Sequence, residues 1–306
     1  MVKFGKKSSV IGLDIGSKTT KIVQLSFNGT GNPSLERCDL LESGLGEAEF
    51  EGNIKSYFKQ NRLTNAMVAS SMDDPSMKIR KMELPKMPDL DLIEAIKWNL
   101  RDIIDGNIDD FAVSFSKITE YEDAESPRLD LMAYAVNRNA VQDYQILIQK
   151  LGVQPYFIEP VAVTLASVLD RCYGDDDSYI SGVHIGNKLS FFYVVGKRVF
   201  VFSRPMPGIS LESYAKDNEG FNQRAAIEIQ KSIDTFKVNF KMEEVNKLYL
   251  SGGGAYIPDI KEYFGRNLGL HTELLNPFVT LTNVENFGDV KSALFVQAIG
   301  LAYLQP

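Results

Sequence analysis

The sequence predicts an α/β protein made of two related halves that meet at a cleft. Three observations carry that expectation. At 306 residues the chain is too long for one small core, and its hydrophobic and charged contents are those of a globular protein. A glycine-turned β-hairpin occurs near the start and again 170 residues later. Amphipathic helices and further strands fill the interval.

The first hairpin reads Ser9-Val-Ile-Gly-Leu-Asp-Ile-Gly16, then Ser-Lys-Thr, then Thr20 to Phe27. The second pairs Tyr179–Gly186 with Leu189–Val195, and a third β-rich run follows at Arg198–Ser203. The repeated Ile-Gly turn implies an internal duplication, with one hairpin per half facing the cleft. Between them, Asp91–Ile104 places Leu92, Ile93, Ile96, Leu100, Ile103 and Ile104 on one arc of a helix, begun after Pro85 and Pro88. Phe111–Ile118 and Leu129–Val136 read as strands, and Ala140–Leu151 as a helix stopped by Gly152. Residues 82–136 therefore read as a small α+β insertion, extended to 82–150 when the helix is counted. Gln223–Phe240 is a helix with Ala226, Ile229, Ile233, Phe236 and Phe240 on one face, within a helical part at about 210–245. The expected halves are 1–178 and 179–306, with a closing helix, Ser292–Leu304, packing back on the first.

Composition excludes several function classes. A net charge of −7 argues against nucleic acid, which needs a basic surface. Runs such as Asp109-Asp110, Glu122-Asp123 and Asp175-Asp176-Asp177 read as solvated loops. Cys38 and Cys172 share no metal-ligand spacing with His184 or His271, so neither a zinc site nor a disulfide framework is expected, and the cytoplasm is the simplest compartment. Lys3, Lys6 and Lys7 precede no apolar stretch, so no signal peptide is expected. No run of 18 apolar residues spans a membrane, and Gly300–Pro306 offers no amphipathic tail, so membrane association is expected only through a partner.

The first turn is the best local candidate for chemistry. Gly16 lets a ligand approach the backbone, Ser17 and Thr19 offer hydroxyls, and Lys18 or Lys21 supplies positive charge for phosphate. Asp14 suits the water shell of Mg²⁺. Read alone, the segment is equally a tight turn with glycine at positive φ. Leu250-Ser-Gly-Gly-Gly254, between a strand and a helix opening near Pro258, is the second candidate, and it is neither a P-loop nor a dinucleotide fingerprint. Glu228, Lys231 and Ser232 are read as lying opposite their helix's apolar stripe, facing a ribose and base or simply solvent. Trp98 lies opposite its stripe, where it packs on a second subdomain or anchors a partner. His184 has the look of a turn or core histidine, without a Ser/Asp arrangement for nucleophilic catalysis.

As a set, Leu13-Asp-Ile-Gly-Ser17, Phe157-Ile-Glu-Pro-Val-Ala162, His184-Ile-Gly186, Leu250–Gly254 and Ala298-Ile-Gly-Leu-Ala302 follow the order of the actin-like ATPase superfamily. The chain resembles, more specifically, the PilM family of type IV pilus assembly proteins, relatives of FtsA and the cytoplasmic part of GspL. Leu84-Pro-Lys-Met-Pro88 before Ile96-Lys-Trp98, Gly152 with Ile158-Glu-Pro160, Glu228-Ile-Gln-Lys-Ser232 and Asn276-Pro-Phe278 carry that narrower likeness. The resemblance implies an actin-like (ribonuclease H-like) duplicated fold around an ATP or ADP cleft with Mg²⁺. The insertion would be a 1C-type subdomain, and the helical part 2B-like. Asp14–Thr19 match the first phosphate motif and Gly186, Asn187 and Lys188 the second. Gly252, Gly253 and Gly254 with Glu228, Lys231 and Ser232 match the adenosine elements, and Glu159 the position of a catalytic residue that orients water. It further implies a partner, the N-terminal cytoplasmic peptide of a PilN-like inner-membrane protein, contacted by the insertion.

One departure stands out: His184 replaces the aspartate expected in the second turn. Removing one carboxylate from the metal's water shell predicts at most a slow ATPase, although Lys188 or a protonated His184 would still meet phosphate. The leading expectation is a nucleotide-bound cytoplasmic scaffold. The alternatives are a sugar or small-molecule kinase, for which only Asp102 and Asp105 offer a base, a nucleotide-free interaction module, and a filament-forming homo-oligomer. The last is weakened by the lack of an FtsA-like C-terminal membrane helix.

Overall fold

A computed structural model describes residues 8–29, 31–44, 46–122, 126–240 and 243–305. Lys3, Lys6, Lys7, Asp123 and Pro306, used in the sequence reading, lie outside the described residues. In chain order the first part comprises β1 (Ser8–Ile15), β2 (Thr19–Phe27), β3 (Ser34–Glu42), α1 (Glu47–Gln60), β4 (Met67–Met72), β5 (Lys78–Pro85), α2 (Asp89–Leu100), β6 (Phe111–Glu122), β7 (Pro127–Asn137), α3 (Arg138–Lys150), β8 (Pro155–Pro160) and α4 (Val161–Tyr173). The second comprises β9 (Tyr179–Ile185), β10 (Ser190–Gly196), β11 (Val199–Pro205), α5 (Leu211–Lys216), α6 (Phe221–Asn239), β12 (Val245–Ser251), α7 (Ile260–Leu268), β13 (His271–Leu274) and α8 (Val296–Ala302).

Two five-stranded sheets share one topology, β3-β2-β1-β4-β8 and β11-β10-β9-β12-β13. In each, three antiparallel strands are extended by two parallel ones. That repetition is the duplication the two hairpins predicted. The parallel strands β1, β4 and β8 bring Leu13 beside Ser70 and Ser71 beside Glu159, so Asp14 and Glu159 end strands on either side of β4 at one carboxyl edge of the sheet. Ligands of open α/β sheets bind beyond such edges.

The third sheet, β5-β7-β6, carries α2 on one face, with Leu92, Ile96 and Leu100 buried against Leu129 and Leu131. This insertion runs from 78 to 137 rather than from 82 to 150, because β5 pairs with β7 from Lys78 onward. Helix α3 buries Ile148 among Ile54 and Phe58 of the first sheet's core and so is no part of the insertion's core. Helix α2 stops at Leu100, and Ile103, expected on its apolar arc, is 37% exposed.

Two helices tie the halves together. Helix α4 is buried along most of its length, from Val161 to Leu169. Helix α8 crosses it where Gly300 leaves room; a Cβ there would come 2.8 Å from side-chain atoms of Thr164 and Val168. The closing segment returns to the first sheet: a Cβ on Gly12 would fall 1.8 Å from the Ala298 carbonyl oxygen. The expected single helix over 292–304 is a short 3₁₀ turn at Ser292–Leu294 followed by α8.

Candidate functional site

The β1–β2 and β9–β10 turns are built alike. The Gly16 N–H donates to the Thr19 carbonyl at 3.2 Å, and the Gly186 N–H to the Leu189 carbonyl at 2.9 Å. Neither glycine adopts positive φ, contrary to the simple turn reading of Gly16. Space is the reason for both: a Cβ would approach the Thr19 oxygen to 2.7 Å and the Leu189 oxygen to 2.5 Å. The turns meet. Asn187 Nδ2 donates to Ser17 Oγ at 2.9 Å and to Glu212 Oε1 at 3.0 Å. Lys18 and Lys188 are exposed beside this contact.

Beneath the turns the chemistry differs. Asp14 is buried and ion-paired to Lys21 at 3.2 Å, and Lys21 also donates to the Thr19 carbonyl at 3.3 Å. His184, the equivalent of Asp14, is partly buried and sets Nδ1 3.1 Å from Ser251 Oγ. Burial, reinforced by the Lys21 charge and opposed by Asp14, lowers its pKa to about 4. The imidazole is therefore neutral near pH 7, and the protonated His184 invoked for phosphate contact does not form there. Sequence reading missed this because Ser251 lies 67 positions away. Below each turn a serine of the neighbouring parallel strand steadies the hairpin: Ser70 Oγ donates to the Leu13 carbonyl at 2.7 Å, and Ser251 Oγ to the Val183 carbonyl at 3.5 Å.

The glycine loop closes on the second turn from the other side. Gly252 has φ +78°, and a Cβ there would lie 2.5 Å from the Ile185 carbonyl oxygen and 3.0 Å from His184 Cε1. Cβ atoms at Gly253 and Gly254 would meet Leu211 at 2.5 Å and Ile185 at 2.2 Å. Gly252 and Gly254 are thus required for packing against β9, whatever else the loop touches, whereas at Gly253 only the flexible end of Leu211 would have to move. On α6, Glu228 receives Lys231 Nζ at 2.7 Å and Arg204 Nη1 at 3.2 Å. The hydrogen bond from Lys231, with that from Arg204, holds the Glu228 carboxyl below its usual range. Ser232 is fully buried rather than opposite the apolar stripe, because its hydroxyl accepts Arg204 Nη1 at 2.9 Å and donates to the Glu228 carbonyl at 2.8 Å. Arg204, at the end of β11, organises this cluster, and no local pattern in the sequence announces it.

Glu159 sits elsewhere along the same edge, two strand spacings or roughly 10 Å from β1. It lines a cavity of about 610 Å³ between the insertion, α4 and β11, with Ser116, Lys117, Tyr134, Asp170, Arg171 and Arg198. Burial raises its pKa. Cys38 and Cys172 are thiols pushed up to about 12 by burial, which leaves them unreactive.

The donor set suits phosphate better than it suits a divalent ion. The two glycine turns, one from each sheet, carry Ser17, Thr19 and Asn187 with Lys18, Lys21 and Lys188. Of the carboxylates near them, Asp14 already pairs with Lys21 and Glu212 already accepts from Asn187. Among the described residues no three His, Cys, Asp or Glu side chains are placed to hold a metal, and no helix is long and apolar enough to cross a membrane.

The family model for type IV pilus assembly protein PilM matches residues 212–304, the stretch holding Glu228, the glycine loop and α8. The whole chain is similar to a solved PilM-PilN type IV pilus biogenesis complex, with TM-score 0.81 and 19% identity over 98% of this chain and 99% of that one. Its fold is that of PilM. The actin-like duplicated architecture expected from the sequence is therefore present. Less similar structures are the ethanolamine utilization protein EutJ from Carboxydothermus hydrogenoformans (TM-score 0.49, 14% identity, 100% of this chain and 93% of that chain) and the cytoplasmic domain of EpsL, an inner membrane component of the Vibrio cholerae type II secretion system (TM-score 0.48, 13% identity, 79% and 82%). No curated protein sequence matches the chain.

Proposed function

We propose that the chain is a cytoplasmic, nucleotide-binding scaffold of a type IV pilus or related envelope machine. In this reading it docks the cytoplasmic tail of a PilN-like inner-membrane protein. The observation that carries the nucleotide half is the meeting of two matched glycine turns, one from each five-stranded sheet, with the Ser17–Asn187 bond between them. ATP, when bound, brings a triphosphate whose negative charge needs donors and cations. Backbone N–H groups of the turns, Ser17, Thr19, Lys18, Lys21, Asn187 and Lys188 are those groups, and Gly252–Gly254 with Glu228, Lys231 and Ser232 border the nucleoside side. Asp14 is the residue for a Mg²⁺ water shell once Lys21 turns to phosphate. Neutral His184 supplies no second carboxylate, and Glu159, half-buried at the end of β8 two strands from β1, is the remaining candidate to orient water. Binding with slow or absent hydrolysis follows.

The partner half is supported by the overall likeness to a PilM-PilN complex and by the cavity between the insertion and α4. Its mixed lining, apolar Phe115, Ile158 and Val163 with charged Lys117, Arg171 and Asp170, suits an extended peptide. Two measurements test the proposal. The nucleotide released on denaturing freshly purified protein should be near-stoichiometric ATP. Protein that is empty and refuses Mg-ATP sinks the nucleotide half. A synthetic N-terminal cytoplasmic peptide of a PilN-like protein from the same organism should bind wild type and lose affinity on Lys117→Glu. Equal affinity for both sinks the partner half.

A further inference from the structure

The outer face of α2 is unusual in composition. Leu90 is 84% exposed and Trp98 68% exposed, while the core of the insertion is already closed by Leu92, Ile96 and Leu100 on the other side. Successive turns of the helix bring Leu90, Glu94, Trp98 and Arg101 into one outward stripe. Three cations near the stripe are used locally: Lys97 pairs with Glu94 at 2.6 Å, Lys117 with Asp89 at 3.2 Å, and the Arg101 guanidinium lies 4.6 Å from the Trp98 ring centre. Asp91, Asp102 and Asp105 are exposed, and no ion pair involves them among the described residues. Asp102 and Asp105 also follow the helix's C-terminal end, where backbone carbonyls already make the potential negative. Asp91, in the first turn of α2, favours that helix's own N-terminus, but neither the apolar pair nor Asp102 and Asp105 serve the fold.

We infer that this face docks a basic amphipathic helix of a partner protein, at a site separate from the cavity on the other side of the insertion's sheet. Charge complementarity selects the partner: apolar side chains meet Leu90 and Trp98, and lysines or arginines meet the unpaired carboxylates. Leu90 and Trp98 stand eight residues apart, roughly 12 Å along the axis, the spacing of side chains two turns apart on a facing helix. An anionic bilayer would be repelled by the same carboxylates. The inference depends neither on nucleotide binding nor on the PilN-like peptide.

Trp98 is the only tryptophan, so fluorescence excited beyond the absorption of the 13 tyrosines reports this face alone. The probe is a short amphipathic peptide of leucine and lysine, added to the full chain, with a leucine–glutamate peptide of the same pattern as control. The expected result is a blue shift of Trp98 emission with the lysine peptide only. Its affinity should fall ~10-fold with Leu90→Ala, and by a similar factor with Asp102→Asn plus Asp105→Asn. Calorimetry with Trp98→Ala should show the same loss. These positions are exposed, and an unchanged melting temperature confirms folding of each variant. Absence of a shift, equal affinity for Leu90→Ala, or binding of the glutamate peptide overturns the inference. So does a shift that grows with protein concentration alone, since the occupant would then be a second copy.

Discussion

The two lobes place the same backbone under different side chains. In both, a glycine N–H closes the hairpin turn, at 3.2 Å from Gly16 and 2.9 Å from Gly186, and a serine of the next parallel strand bonds the carbonyl just before the key side chain. At that side chain they part: Asp14 forms an ion pair with Lys21, and His184 a neutral hydrogen bond with Ser251. Duplicated architecture is therefore held by main-chain geometry, which only glycine and small hydroxyl residues permit, whereas the chemistry rests on one exchangeable position. The comparison teaches where each kind of perturbation should act.

The largest effect is expected where the lobes use equivalent glycines against different covers. Gly12 in β1 faces the Ala298 carbonyl of α8, with 1.8 Å for a Cβ, and Gly182 in β9 faces the Tyr193 ring at 2.2 Å. A helix backbone tied into two lobes has nowhere to go. Gly12→Ala should cost about 3 kcal/mol or more and be recovered mainly as insoluble protein. A ring is easier to shift, so Gly182→Ala should cost about 1–2 kcal/mol. Urea denaturation compares them; equal destabilisation would mean that α8 is not fixed against the first sheet.

Next comes the titration of His184 in protein free of nucleotide. The folded pKa of about 4 lies below the ordinary 6.5, so between these values the unfolded chain binds a proton that the folded chain does not. Stability attached to this residue is complete above pH 6.5 and falls as the pH drops toward 4, by on the order of 2 kcal/mol once partial solvent access is allowed for. His184→Gln should remove that part of the slope in urea midpoints taken at pH 7 and pH 4.5. The same slope in both proteins would show that the imidazole is not desolvated. The reverse change, His184→Asp, restores a carboxylate opposite Asp14 and should raise steady-state Mg-ATP hydrolysis ~10-fold or more if its absence is what limits turnover. No acceleration would place the limit elsewhere, Glu159 being the next residue to vary.

These contrasts also mark what the sequence could reveal. The hairpins, α2, α3 and α6 were legible because each carries a simple period, two or 3.6, broken by Gly or Pro. Helix α4 was not, since Val161, Ala162, Leu165, Ala166, Val168 and Leu169 are buried on several sides and leave little polar face. Strand β5 escaped because only Met82 and Leu84 of its eight residues are buried. In the candidate site, the two glycine turns themselves were readable from local spacing. Arg204, Ser251 and the Asn187–Ser17 contact were not, because each joins elements brought together only by the fold. Ser232 was misplaced for a related reason: its hydroxyl is satisfied by Arg204 and by the preceding turn of its own helix, which lets a polar side chain sit fully buried.

The smallest predicted effect concerns the one side chain that joins the two turns. Asn187 Nδ2 divides its donors between Ser17 of the first lobe and Glu212 of its own. Losing such a partly exposed bond should cost only about 1 kcal/mol of stability. It should matter more for exchange, since a phosphate entering between the turns must displace the Ser17 contact. Asn187→Ala should therefore speed entry of a fluorescent nucleotide analogue severalfold in stopped flow. Removing the contact from the other side with Ser17→Ala should do the same. Glu212→Ala, which leaves the cross-lobe bond in place, should not. If all three variants behave alike, the contact is an ordinary surface hydrogen bond with no part in nucleotide exchange.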